Sequence, residues 1–380
     1  MRPSRTLLVE GWRNIAHSYA IVNQFQCLEL LKIQDLRLIH RDVPYYGEHW
    51  EQTRGLFPPA AEAAIGAMPG AEEGAAADAV LRISFPYNCA ASKYRRTGVF
   101  GTSEFGYVPD DYLVPQRPLR ALASASDIVF LVPSKWSRNG FLRSGASPSQ
   151  VEVVPHGVDP AIYCPADAPL AGRAEAGTFT YLTVGSMSPN KGLPLLLKAF
   201  AAVTQKYAHA RLVAKGLGAL YPSRDLKDLA LNQLTTGESY QVRDRLTYRG
   251  ETLSFEQMAD LYRSADAYVS PYTGEGFNLP VLEAAACGAV IICTQGGSTD
   301  DFTRPEFTLP IEATLREEQF APGARGLLLQ PSFDHLVHQM MQAIESPQYC
   351  ARARMAGPAF VTGHFTWRHA VERLVKVLFP

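Results

Sequence analysis

The stretch GEGFNLPVLEAAACG, Gly274 to Gly288, carries Glu275 in a loop-forming sequence and Glu283 on a helix-forming one. Asn278 reads as the N-cap of a helix from Leu279 to Cys287 that Gly288 ends, and Pro280 falls in the first turn, where its missing N–H costs nothing. A strand, loop and helix in that order would aim the amides of Gly276, Phe277, Asn278 and Leu279, with about half a positive charge of helix dipole, at whatever lies above the strand ends. That is chemistry for an anion or a sugar hydroxyl. Glu283, one turn into the helix, can reach a diol as an acid reaches ribose in nucleotide folds, and Glu275 faces deeper. The competing reading makes Glu275 a solvated loop acid and Glu283 a surface residue. Against it stands LPVLEAAACGAVIICT, apolar enough for a buried helix and strand, where an acid must be paired or functional.

Two lysines, Lys191 in SPNKG and Lys215 in RLVAKG, follow strand-like runs on the side of the sheet where anions bind. Taken singly, each also reads as an ordinary solvated lysine. GSMSPNKG lacks the glycine before the lysine and the Ser or Thr after it, which excludes a triphosphatase P-loop. The acidic pairs at 110–111 and 300–301 are adjacent and no Asp-x-Asp occurs, so metal-independent chemistry is expected; no cofactor is expected either.

Elements able to position these groups alternate along the chain. TLLVE, AVLRISF, GVFG, DIVFLV and VEVVP read as strands, with helix-like AHSYAIVNQFQCLELLK and SKWSRNGFLRSG between them. The Pro/Ala/Gly-rich passage from Tyr163 to Gly177 reads as a linker. After it the alternation resumes with TFTYLTVGS, ARLVAKG, RLTYRG, AYVSPY, AVIICT and GLLLQP as strands. Helices LPLLLKAFAAVTQ and SFEQMADLYRSA lie between them, the second opened by a capping box of Ser254 and Gln257. Helical FDHLVHQMMQAIES and TWRHAVERLVKVLF close the chain, and the low-complexity passage from Pro69 to Val80 reads as a surface loop or helix edge. Two doubly wound α/β halves are predicted, whose ligand sites lie beyond the carboxyl ends of the strands. A length of 380 residues suits two domains. The 36 basic and 37 acidic side chains nearly cancel, which gives no broad reason to bind nucleic acid. Six cysteines without C-x-x-C spacing suggest a reducing compartment, and no apolar run is long enough for a signal peptide core or a membrane span, so a soluble, cytoplasmic protein is expected.

The E-x7-E spacing in EGFNLPVLEAAACG, preceded by LYRSADAYVSPYTG and followed by VIICTQGGSTDD, resembles the nucleotide-sugar site of the retaining family 4 glycosyltransferases, which have the GT-B fold. LVPSKWSRNGFLRSGASPSQVEVVPHGVDPAIYCP is similar to the end of that family's N-terminal domain, TYLTVGSMSPNKGLPLLLKAF to the start of its C-terminal one, and FTWRHAVERLVKVL to its final crossover helix. The likeness is close from about residue 97 onward and loose before it. It implies two Rossmann-like domains facing a central cleft: residues 1–168 for the acceptor, 169–362 for the nucleotide sugar, and a helix at 363–380 crossing back to the first.

Position by position, the resemblance implies that Glu283 binds the donor ribose, Glu275 faces the transferred sugar, and the backbone of residues 276–279 cradles sugar and phosphate. Lys191 matches the family's pyrophosphate lysine. Where relatives often have Arg, this chain has Ser186, and Lys215 is the natural substitute for the missing cation. Arg249, with Gly250 and Glu251, lies where main-chain groups would meet the base. In the first half, Gly11 could approach the diphosphate, His17 and Ser18 begin the next helix toward the acceptor, and Glu104 stands where relatives often carry an active-site histidine. For His17 a capping or core role competes with a catalytic one, and for Glu104 a structural one does. Lys93, Arg95 and Arg96 read either as a solvated face or as a weak peripheral contact with an anionic membrane or lipid phosphate. The implied activity is metal-independent transfer, with retention, of a hexose from UDP-hexose or GDP-mannose to a saccharide or glycoconjugate acceptor. The alternatives are a nucleotide-sugar-binding protein without turnover and a GT-B epimerase or phosphorylase. Domain closure about residues 165–177 would accompany donor binding.

Overall fold

A computed structural model of the chain describes residues 5–124, 127–166, 177–321 and 324–380. Most of the linker and hinge expected from the Pro/Ala/Gly-rich passage, residues 167–176, lies outside the described residues. The chain forms two compact units, one reaching to Asp159 and including Gln319–Gly326 and Phe365–Pro380, the other made of Pro160–Glu318 and Leu327–His364.

The sheet of the first unit has six parallel strands in the spatial order Leu36–Asp42, Arg5–Gly11, Ala79–Ile83, Arg96–Phe100, Ile128–Val132 and Val151–Val153. Ala79–Ile83 and Ile128–Val132 are buried at every residue because helices cover both faces of a parallel sheet; Ile128–Val132 therefore reads as a continuous apolar run, and Ala79–Ile83 does so but for Arg82, which pairs with Glu10. Leu36–Asp42 escapes sequence reading because Arg37, His40, Arg41 and Asp42 break its pattern; it forms as the edge strand of the six, paired along its length with Arg5–Gly11 and bridged at His40 to Gly70. The order reverses between Arg5–Gly11 and Ala79–Ile83, the switch point of this unit. The last helix, Trp367–Leu378, opens with a capping box of Thr366 and His369, and Trp367 stacks on Phe25 of the helix Ser18–Leu30 with centroids 5.3 Å apart. Gly157 permits that return of the chain, since a Cβ there would stand 2.2 Å from the Thr366 carbonyl carbon.

In the second unit six parallel strands lie in the order Leu246–Arg249, Ala210–Lys215, Phe179–Val184, Ala267–Ser270, Val290–Thr294 and Thr308–Ile311. Numbered along the chain this is 3-2-1-4-5-6, the dinucleotide-fold order, with its switch point between Phe179–Val184 and Ala267–Ser270. The run GLLLQP is not a strand of this sheet, contrary to the sequence reading. It belongs to Ala324–Pro331, which pairs with Ala313–Ala321 as a separate ribbon, because Thr308–Ile311 already occupies the sheet edge. The predicted box at Ser254 is present: its Oγ accepts from Gln257 N at 3.2 Å, and Gln257 Oε1 accepts from Ser254 N at 2.9 Å. Among the described residues no helix is long and apolar enough to cross a membrane.

Candidate functional site

Loops leaving the two strands that flank the second unit's switch point carry Lys191 and Glu275. They are stapled to each other. Asn190 Nδ2 donates to the Gly274 carbonyl at 3.0 Å, and Thr273 N donates to the Asn190 carbonyl at 2.8 Å. Asn190 is itself steadied by Ser188 Oγ at 2.7 Å, which is bonded to Ser186 Oγ at 2.7 Å. Ser186 therefore organises the loop that bears Lys191. Gly192 turns with φ +72°, and a Cβ there would stand 2.0 Å from the Pro271 carbonyl oxygen, so the turn admits only glycine. The result sets the Lys191 ammonium directly on Glu275 Oε1, with Glu275 buried and Lys191 partly open to solvent.

Behind this pair the helix Leu279–Ala286 begins at Asn278, whose role differs from the expected side-chain cap. Asn278 adopts φ +73°, ψ +62° and makes no capping bond; its Nδ2 donates instead to Ser270 Oγ at 3.0 Å. The left-handed turn explains why glycine or asparagine suits the position. The helix stops one residue short of expectation, with Cys287 as C-cap and Gly288 at φ +85°. Phe277 anchors the turn against Phe302, centroids 4.8 Å apart, while Leu279 opens the first turn, the end at which a helix presents amides and positive dipole.

Glu283 is buried one turn further on, with Tyr262 Oη donating to its Oε2 at 2.7 Å and the Tyr163 hydroxyl donating as well. Its pKa is raised to about 7: burial drives it up, and the two hydroxyls oppose part of that rise. Lys215, the last residue of its strand, is buried with its ammonium on the Gly216 carbonyl. Burial lowers its pKa to about 8; Glu251 opposes that shift and Arg249 adds to it. Arg249 pairs in register with Lys215 and is bound through Nε to Glu251 Oε1 at 2.7 Å, near the surface. Gly185 N donates to the Lys215 carbonyl at 3.0 Å, which joins this strand end to the Ser186 loop. Lys191, Glu275 and Ser186 thus lie on linked loops, and Lys215 at the adjoining strand end, all at one end of one sheet.

In the first unit, Gly11 is explained by packing: a Cβ would stand 2.7 Å from the Ile83 carbonyl oxygen and 2.9 Å from Asn23 Nδ2. His17 is the N-cap of Ser18–Leu30; its Nδ1 accepts from Tyr19 N at 3.1 Å, and its ring lies within 5.3 Å, centroid to centroid, of Trp12, Tyr19 and Trp50. Burial lowers its pKa to about 4, consistent with a neutral acceptor ring. Ser18 is exposed at the helix start, and Glu104 is exposed on a bend whose carbonyl accepts from Trp136 Nε1 at 3.0 Å. Lys93 is committed to the Gly74 carbonyl at 2.6 Å. Sequence reading missed Tyr163, Tyr262, Ser188 and Asn190, because their partners are remote in the chain or set by loop geometry. Among the described residues no three His, Cys, Asp or Glu side chains could together hold a metal ion.

Comparison with known proteins agrees with this geometry. Residues 178–329 match the family described as glycosyl transferases group 1. The phosphatidylinositol N-acetylglucosaminyltransferase gpi3 subunit of Schizosaccharomyces pombe is 26% identical over 212 residues, which cover 54% of this chain and 43% of that protein. The D-inositol 3-phosphate glycosyltransferase of Arthrobacter sp. (strain FB24) is 33% identical over 151 residues, covering 39% and 34%. The chain therefore spans less than half the length of these curated relatives. Anabaena HepE, solved in complex with UDP and glucose, superposes with a TM-score of 0.71 at 14% identity over 98% of this chain and 99% of that one. That likeness shows the fold, the two Rossmann-like α/β units of the GT-B class.

Proposed function

We propose that the protein is a glycosyltransferase that moves a hexose from a nucleotide diphosphate sugar, UDP-hexose or GDP-mannose, to a saccharide or glycoconjugate acceptor, with retention and without a metal. The observation that carries this reading is the Lys191–Glu275 pair at the switch point, beside the first turn of the Leu279 helix. An ammonium and a helix N-terminus suit a departing diphosphate, and an acid between them and the sugar suits a positively charged transition state. Lys215 adds a second cation, and Glu283 takes the ribose diol. In the step itself the anomeric C–O bond to the diphosphate breaks, the acceptor oxygen bonds to that carbon on the same face, and the acceptor's proton passes to the leaving phosphate oxygen. Gly11, His17, Ser18 and Glu104 stand in the first unit as acceptor-side candidates, Glu104 being the exposed acid among them. HepE was solved with UDP, which favours testing uridine donors first, and the relatives' names bring inositol compounds into the acceptor panel.

Incubation with radiolabelled UDP-glucose, UDP-N-acetylglucosamine and GDP-mannose, each with and without chelator, tests the reading. Release of nucleoside diphosphate together with a labelled product of unchanged anomeric configuration is expected, undiminished by chelation. Donor binding without turnover across the acceptor panel would contradict it and leave a binding protein.

A further inference from the structure

Two tyrosines converge on one buried acid from different parts of the second unit. Tyr262 lies on the helix Phe255–Ser264 and Tyr163 on the segment that opens the unit, their rings 6.2 Å apart. The segment bearing Tyr163 is fastened on both sides of it: Arg263 Nη2 donates to the Ile162 carbonyl at 2.5 Å and Nε to the Cys164 carbonyl at 2.7 Å. The guanidinium is held in turn by Asp260 Oδ1 at 2.8 Å. One arginine thus holds the backbone on both sides of Tyr163, whose hydroxyl donates to Glu283 as Tyr262 Oη does. Both rings are buried, so neither hydroxyl is there for solvent.

We infer that Tyr163 and Tyr262 are positioning residues that hold the Glu283 carboxyl in its ionised form, with its remaining lone pairs directed to the ribose diol of the donor. The inference rests on the proposed role of Glu283. A carboxylate has about four acceptor sites, and charge-assisted bonds from a diol are the stronger ones. In apolar surroundings a carboxyl keeps its proton unless donors stabilise the anion. Without the tyrosine hydroxyls Glu283 would be a neutral acid at pH 7, and the diol would lose its charged acceptor. Tyr268 on the adjoining strand and Cys287 at the C-cap of that helix also act on this carboxyl, and both are pushed by burial toward their neutral forms. Among the described residues no charged side chain acts on it from the elements packed against its helix, the strands Ala267–Ser270 and Val290–Thr294 and the helices Phe255–Ser264 and Pro347–His364.

The test measures the affinity of the full chain for UDP and GDP, and for their 2′,3′-dideoxy counterparts, by calorimetry from pH 6 to 9. The quantity of interest is the ratio of ribo to dideoxy affinity, which cancels the titration of Lys215. In the wild type this ratio should fall below about pH 7. In Tyr163→Phe and Tyr262→Phe, which keep the packed ring, the fall should move upward by about one to two pH units, the size of a hydrogen bond to a charged group. The ratio at pH 7 should then drop roughly 5- to 50-fold and recover at high pH. Glu283→Gln should flatten the profile. An unmoved profile in both Phe variants, alongside a large loss in Glu283→Gln, overturns the clamp and leaves the diol role standing. No loss in Glu283→Gln, or no binding of either nucleoside diphosphate, overturns the role of Glu283 itself.

Discussion

Replacing Lys191 by alanine probes the electrostatics of the site most sharply, because it separates the nucleotide's phosphates from its base. Two unit charges about 4 Å apart interact by about 4 kcal/mol at an effective dielectric of 20. The Lys191 side chain is 26% exposed, so screening reduces its share to about 1.5–3 kcal/mol, roughly a 10- to 150-fold loss of affinity for UDP or GDP. A second effect adds to the first. Glu275 is only 6% exposed and loses its ion-pair partner, leaving an uncompensated negative charge beside the incoming diphosphate. Adding Glu275→Gln to Lys191→Ala should therefore recover part of the lost diphosphate affinity while turnover stays low. Calorimetric titration with UDP, GDP, uridine and guanosine reads all of this. The diphosphates should weaken by the stated factor and the nucleosides by less than about 3-fold. Equal losses for nucleoside and diphosphate, or none for either, would refute the placement of the phosphates at Lys191.

Several other consequences can be checked independently. Glu283 must be ionised and Lys215 protonated in the free protein, so kcat/KM should rise as pH passes about 7 and fall as it passes about 8; a profile flat between pH 6 and 9 would contradict both roles. Asn278→Gly and Asn278→Ala both lose the Ser270 bond, but only alanine keeps a Cβ in the left-handed turn, so the Ala variant should be less stable than the Gly variant by about 1–2 kcal/mol; equal stability of the two would deny that conformation. His156 is buried, and burial depresses its pKa from 6.5 to about 3. Its folded-state pKa is the lower one, so its stabilising contribution is intact above about pH 6.5 and disappears as pH falls toward 3, amounting to about 3 kcal/mol by pH 4. Denaturant melts of His156→Gln should show a shallower acid slope than the wild type. Gly157→Ala should lower the melting temperature of the first unit, because the added carbon meets the Thr366 backbone at 2.2 Å.

The βα alternation made the two doubly wound halves readable, since strands buried on both faces write themselves as apolar runs such as Ile128–Val132. Leu36–Asp42 was hidden by its edge position, and GLLLQP was assigned to the wrong sheet because an apolar hexamer looks alike in a ribbon and in a core strand. In the site, Lys191, Glu275 and Glu283 were visible because their spacing follows the turn from strand to helix. The conformation of Asn278 was not, because an asparagine before a helix is read as a cap, and only the backbone reveals that it is left-handed and bonded to Ser270. Tyr163 and Tyr262 were invisible for a different reason: their link to Glu283 spans remote parts of the chain, and a buried tyrosine in sequence is simply a core residue. The packing of Gly11 against Ile83 and Asn23 likewise depends on a neighbouring strand and helix that no local pattern specifies.

The account stands or falls on where the phosphates of a bound donor lie. A crystal structure of the protein soaked with UDP or GDP should show the diphosphate above the first turn of the Leu279 helix, within hydrogen-bond reach of the Lys191 ammonium, and the ribose hydroxyls on Glu283. Electron density for the nucleotide elsewhere in the protein, with the Lys191–Glu275 pair untouched, would contradict it.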